Sequence, residues 1–205
     1  MVPDRLLIID TETGGVGFDS AHRCAIIQLG AVVWQWGKPE PGFDEGFHQI
    51  IFDPTGDLDE DALRVNGFTR EKILEYGVGP VEALLRFEMF LGRNFGDGKP
   101  ILCGHNIGYD VQYLARLYRI AGVPNRIDEV FNYRTLDTAS IARFLILAGL
   151  VPLQEPTSIS LFEHFGCKPI KAHDAFSDAV ATHNLLTAML NVVRKHPKGC
   201  WGSAE

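Results

Sequence analysis

Leu6-Leu7-Ile8-Ile9-Asp10-Thr11-Glu12-Thr13 is an apolar run that gives way to two acids. Arg5 to Asp10 reads as a buried strand, and the apolar run is far too short to span a bilayer. Asp10 and Glu12 are two residues apart, so on extended backbone their carboxylates share one face and can share one ion. Two aligned carboxylates at the end of a strand repel each other and are costly without a cation between them. Taken alone, the pair reads equally well as a strand terminus followed by a solvated acid. Thr11, Thr13, Gly14 and Gly15 suit a backbone passing close to a substrate, although the two glycines are also good turn residues.

Outward from this strand, Cys24 to Trp36 and Glu45 to Phe52 are rich in β-branched and aromatic residues and read as two more strands. Gly37 to Gly42 is short enough to join them antiparallel. Helical patterns follow at Asp59 to Val65, Arg70 to Glu75 and Pro80 to Phe95, the last opening on a proline. Lys99 to Cys103 is a short strand leading to a helix from Ile107 to Ala121. Tyr133 to Asp137 is a fifth strand leading to a helix from Thr138 to Ala148. Ser158 to Phe165 and Ala175 to Arg194 close the chain as helices. The expected fold is α/β: a five-stranded mixed sheet, three antiparallel strands and then two strand–helix units, flanked by helices. No internal repeat or linker divides the 205 residues, so a single domain is expected, with its core at about 5–195 and a loosely held tail at 196–205.

Two further acidic segments match the first. In Asn106-Ile107-Gly108-Tyr109-Asp110, Asn106 is a candidate N-cap and Asp110 lies one helical turn on. On its own, Asp110 would be a surface acid in a helix's first turn. In His173-Asp174-Ala175-Phe176-Ser177-Asp178, an Asp174 cap would leave His173 on the preceding loop and let Asp178 project from the first turns. An imidazole titrates near neutral pH, so His173 can take a proton from an attacking water. A lone histidine in that place is ordinarily a surface or capping residue. The other six histidines, among them His105, have no comparable context and read as structural.

In order and spacing the three segments resemble the DEDDh 3′→5′ exonucleases, a family that includes proofreading polymerase subunits, RNase T and oligoribonucleases. The resemblance spans about residues 5 to 195, and His173-x-Ala175-x-x-Asp178-Ala179 matches the family's third motif closely. It implies a ribonuclease-H-like fold and a site for two Mg²⁺ or Mn²⁺ ions. Asp10, Glu12 and Asp178 would hold one ion, Asp10 with Asp110 the other, and His173 would act as the base. All-oxygen ligation favours Mg²⁺ or Mn²⁺ over zinc. The implied reaction is hydrolysis of single-stranded 3′ ends to nucleoside 5′-monophosphates, on DNA in a proofreading or repair role. RNA trimming of the RNase T or oligoribonuclease kind is the alternative, and a non-catalytic polymerase-partner subunit is a more distant one.

By the same resemblance, Asp61 and Asn66 would contact the terminal nucleotide, although Asn66-Gly67 reads equally well as a helix-terminating turn; Thr11, Thr13, Phe68 and Asn106 are further candidate substrate contacts, while Asp137 in Leu136-Asp137-Thr138 is a structural or capping acid. Asp61 to Thr69 is similar to a family stretch that carries a histidine where Asn66 stands. Gln28 stands where many members have glutamate, and Gly14 replaces a common threonine. Tyr109 fits the aromatic usually found before the second aspartate, with a hydroxyl added. Phe43, Phe68 or Tyr109 are candidates to stack on terminal bases, with a place in the core the commoner reading of any one of them.

The net charge of −7 is unusual for a nucleic-acid binder. Divalent ions would neutralise four of the acids, and Arg116, Arg119, Arg126, Arg134 and Arg143 could form a basic rim. Ordinary solvated helix charges are an equally good reading of each arginine. Expected partners are single-stranded DNA or RNA 3′ ends, with a DNA polymerase or a homodimer mate as further possibilities and no membrane. Cys24, Cys103, Cys167 and Cys200 form no close pairs and no metal-ligand spacing, and the first three read as buried thiols in a reducing compartment, by default the cytoplasm.

Overall fold

A computed structural model describes residues 5–15 and 21–195; the expected loose tail, with His196 and Cys200, lies outside the described residues. The strands are β1 (Arg5–Thr13), β2 (Ile26–Gln35), β3 (Phe47–Ile50), β4 (Leu102–Gly104) and β5 (Thr135–Asp137), joined in one sheet of order β3-β2-β1-β4-β5. β1 pairs antiparallel with β2, and β2 with β3, while β4 and β5 add in parallel on the other side. This is the mixed sheet expected from the chain order, and the ribonuclease-H-like arrangement that the resemblance implies. The helices are α1 (Glu60–Asn66), α2 (Arg70–Tyr76), α3 (Pro80–Phe95), α4 (Gly108–Ile120), α5 (Arg126–Val130), α6 (Thr138–Leu147), α7 (Ser158–Phe165) and α8 (Ala175–Lys195).

Several boundaries depart from the sequence reading, each for a local reason. β1 runs on to Thr13 because Glu12 pairs with Gln28 and Thr13 with Ile26, so both acids are held inside a paired strand. β4 starts only at Leu102, beyond Pro100, which has no N–H to give a ladder. Before β3, Phe43–Glu45 form a single 3-10 turn in which Glu45 Oε2 accepts a 2.8 Å bond from the Gly42 amide. The five-residue α5 was not anticipated; its pattern is too short to declare itself. Asn106 is not the N-cap of α4: that position falls to Ile107, with no side-chain cap.

The pleat of β1 decides what meets what. Leu7 and Ile9 face the layer of α3 and α4, packing with Phe87, Phe90, Tyr113, Leu114 and Leu117. Leu6 and Ile8 face α8, packing with Phe176, Ala179, Val180 and Leu186. Leu7, Ile8 and Ile9 are at most 1% exposed, and burial of each contributes about 1.5–3 kcal/mol. Strand alternation then sends Asp10 and Glu12 toward α8, and Thr11 and Thr13 toward α4. Where α8 begins, Gly30 of β2 makes room for it: a Cβ on Gly30 would lie 2.2 Å from the carbonyl carbon of Ala175.

Candidate active site

At the C-terminal end of β1, a cleft of about 1130 Å³ is lined by Asp10, Thr11, Glu12, Asp110, His173 and Asp178 among others. β1, the first turn of α4 and the start of α8 therefore bring together the acids of all three sequence segments. One ligand atom from each of Glu12, His173 and Asp178 lies within 4.8 Å of the other two. The α4 acid is tied in by Thr11, whose Oγ1 donates a 2.8 Å bond to Asp110 Oδ1. At the start of α8, the His173 amide donates to Asp178 Oδ2 at 3.0 Å, with His173 itself exposed. Asp174 caps the helix as expected, accepting from the Ser177 amide at 3.3 Å through its side chain and from the Asp178 amide through its carbonyl.

The electrostatics of this cluster are those of acids short of a counter-charge. Burial, then repulsion from Asp110, Asp178, Glu12 and Asp174, raises the Asp10 carboxyl well above its ordinary range. Burial and the neighbouring Asp178, Asp174 and Asp110 push Glu12 up to about 8, against a smaller downward pull from Lys171. Asp110 rises to about 7 through burial, opposed by the Thr11 hydrogen bond. Asp178 rises to about 6 through burial, opposed by the charge and the backbone amide of His173. Lys171 is itself occupied with Asp174 at 3.6 Å and is well exposed, so it neutralises little. An all-carboxylate set under mutual repulsion fits a divalent cation, which would remove the repulsion and favour ionisation.

His173 and Asn106 are the two non-glycine residues among those described with positive φ, both at +58°. This conformation is uncommon for such side chains, and both residues line the cleft. Asn106 is held there by its amide, which donates a 2.8 Å bond to Asp137 Oδ1. Asp137 also caps α6 through Ala139 and Ser140, in keeping with its expected capping role.

The substrate-contact expectations divide. Thr11 and Asn106 line the cleft. The Thr13 hydroxyl is spent within the protein, donating to Gly15 O at 2.9 Å and lying 2.9 Å from the Tyr109 hydroxyl. Asp61 is exposed on α1 and paired with Arg64. Asn66 is buried, its Nδ2 donating to Thr13 O at 3.0 Å and its Oδ1 accepting from the Phe68 amide, which leaves it a strut under β1. Phe68 is no stacking platform: it is 5% exposed, packed with Ala25, Ile27, Leu63 and Ile73.

Of the arginines expected to form a basic rim, Arg116 is withdrawn from the surface and two others have partners. Arg116 is buried and forms a 2.7 Å ion pair with Asp53, Arg126 is bound to Glu88, and Arg134 lies over the Tyr133 ring. His105, structural by its sequence context, lines the cleft with its Nδ1 3.1 Å from Thr138 Oγ1. Its place directly before Asn106, between a strand and the Asp110 helix, was the available signal. Ile159, Phe162, Lys168 and Pro169 form a further wall from α7 and the segment after it, which no local motif announced.

The fold and cleft agree with one family comparison: the exonuclease family profile, that of RNase T, matches residues 7–186. The chain belongs to this exonuclease family. Among solved structures it is similar to cell-death related nuclease 4 (CRN-4), with a TM-score of 0.68 at 19% identity over 92% of this chain and 64% of that one. It is also similar to E. coli exonuclease I in complex with a dT13 oligonucleotide, with a TM-score of 0.71 at 18% identity over 92% of this chain and 41% of that one. Exonuclease I from Methylocaldum szegediense gives 0.67 at 19%, again covering 41% of the larger protein. The chain thus spans less than two thirds of each of these proteins. No curated protein sequence is significantly similar to it.

Proposed function

We propose that this protein is a divalent-metal-dependent 3′→5′ exonuclease, a single domain over about residues 5–195 that hydrolyses single-stranded DNA ends to nucleoside 5′-monophosphates. The observation that carries the reading is the convergence of Asp10, Glu12, Asp110 and Asp178, with the His173 loop beside them, in one cleft. Asp10, Glu12 and Asp178 would hold one Mg²⁺ or Mn²⁺, and Asp10 with Asp110 a second. Such ions supply Lewis-acid polarisation of the phosphate and stabilise charge on the attacking and leaving oxygens.

The chain's own residues do the rest. Exposed His173, on its loop, accepts the proton of the attacking water, while its backbone amide keeps Asp178 oriented. Thr11 fixes Asp110 so that the α4 and β1 carboxylates are already in place when substrate arrives. Asn106, held by Asp137, and the backbone around Thr11 position the terminal nucleotide. The oligonucleotide bound in the exonuclease I structure supports DNA as the strand. The free thiols of Cys24, Cys103 and Cys167 accord with a reducing compartment such as the cytoplasm.

The test is digestion of matched 5′-labelled single-stranded DNA and RNA by wild type and Asp10→Ala, with Mg²⁺, Mn²⁺ or EDTA. A ladder shrinking from the 3′ end of DNA, lost with EDTA and in the variant, is expected. A faster RNA ladder would transfer the reading to RNA trimming, and no shortening of either strand would overturn it.

A further inference from the structure

The groups that catalysis needs come from two layers that share no covalent neighbourhood: β1 carries Asp10 and Glu12, and the start of α8 carries Asp178, with His173 on the loop before it. Packing of α8 on the sheet sets the distance between layers, but apolar contacts are non-directional. A polar anchor at the helix's first residue adds a directional bond that defines its register.

Gln28 occupies that place. It lies on β2 directly opposite Glu12 and is 5% exposed. Its Oε1 accepts a 3.0 Å bond from the amide of Ala175, the first residue of α8. Its Nε2 makes a long 3.5 Å bond to Oδ2 of Asp174. Asp174 in turn receives the Asp178 amide on its carbonyl, and the His173 amide closes back onto Asp178 Oδ2. The close approach at Gly30, two residues along the same strand, brings Ala175 within reach. One buried amide thus grips the helix start from which His173 and Asp178 both hang.

We infer that Gln28 is a positioning residue that sets α8 against β1, and with it the distance between Glu12 and the His173–Asp178 pair. The inference rests on the exonuclease reading of the cleft.

The test uses the full chain with Gln28→Met, which keeps the length and removes both bonds, and Gln28→Glu, which keeps an acceptor for the Ala175 amide. Three quantities are read: kcat and KM on a 5′-labelled single-stranded oligonucleotide, Mn²⁺ affinity by calorimetry without substrate, and the melting temperature. Gln28→Met is expected to lower kcat and Mn²⁺ affinity by roughly 10- to 100-fold with KM nearly unchanged, as losing an outer-shell partner does elsewhere. Gln28→Glu is expected to recover both to within about 3-fold, the carboxylate oxygen replacing the amide oxygen as acceptor.

A Gln28→Met protein that melts earlier but keeps wild-type kcat and Mn²⁺ affinity would overturn the proposal, leaving Gln28 an ordinary core residue. Equal impairment of both variants at matched stability would overturn it too, because the acceptor would then not matter. Should Gln28→Met fail to fold, Gln28→Glu decides alone: near-native Mn²⁺ affinity supports the anchor and a tenfold loss refutes it. If the wild type cuts no oligonucleotide, the exonuclease reading fails, and the Mn²⁺ comparison still decides whether Gln28 positions the two layers.

Discussion

Thr11 Oγ1 and Asp110 Oδ1 are joined by a 2.8 Å hydrogen bond across ninety-nine positions of sequence. The donor sits on the face of β1 opposite Asp10 and Glu12, so one strand serves two helices: carboxylates toward α8, a hydroxyl toward α4. The bond also holds the Asp110 carboxyl below where burial alone would put it. Thr11→Val keeps the shape and removes the donor. It is expected to lower kcat about 10-fold and to move the acid limb of the pH–rate profile to higher pH, since Asp110 would then ionise less readily. An unchanged profile would mean that the bond does not orient the acid.

Without metal, the site carries a pH-dependent penalty. Glu12 rises from an ordinary value of 4.5 to about 8 in the folded protein, and Asp110 from 3.8 to about 7. The folded state therefore holds protons that the unfolded chain releases, so the stabilisation is complete below about pH 4 and is lost as pH rises through 7 and 8. Melting in EDTA is expected to move to lower temperature between pH 5 and pH 9. Added Mn²⁺ is expected to flatten that slope, and a slope indifferent to Mn²⁺ would count against the metal site.

The base role proposed for His173 belongs to its ring, whereas its bond to Asp178 comes from its backbone amide. His173→Ala is therefore expected to lower kcat by about 10²–10⁴-fold while Mn²⁺ affinity stays near wild type. Parallel loss of both would reassign the imidazole to ion binding.

Tyr109 differs from a phenylalanine at this position by a hydroxyl that donates to Gly15 O at 2.8 Å and meets Thr13. Tyr109→Phe is expected to reduce stability by about 1 kcal/mol in denaturant unfolding, with kcat within a few-fold of wild type. A large fall in kcat would instead give the hydroxyl a place at the substrate.

The Arg116–Asp53 pair is almost fully buried, with Thr55 Oγ1 accepting a further 3.1 Å bond from the guanidinium. Arg116→Met leaves Asp53 without its partner and is expected to destabilise the protein by about 3–5 kcal/mol. Oligonucleotide affinity measured well below the melting temperature should not change, because this arginine does not face the cleft. Loss of affinity at matched folding would restore it to the substrate surface.

The correct and incorrect expectations separate by the range of the interaction behind them. Apolar periodicity located all five strands and every helix except the short α5, because burial of one face is written residue by residue. The Asp137 and Asp174 caps were legible for the same reason, since a cap bonds amides two or three residues on. Asn106 was misread as a cap because its conformation is set from Asp137, thirty-one positions away. Arg116 was expected on the surface, and Phe68 stood open between core and stacking platform, because nothing adjacent in sequence announces Asp53 or the pocket of Ala25 and Ile27.

For this protein, local chemistry is enough to specify the mixed sheet, its helices and the three acidic segments, because strand alternation, helix periodicity and capping act over a few residues. Which carboxylates meet, how far burial and repulsion raise them, and which buried side chains hold two layers in register are settled only when β1, α4 and α8 pack together. Coulomb repulsion and desolvation depend on distance in space, and distance along the chain does not encode that.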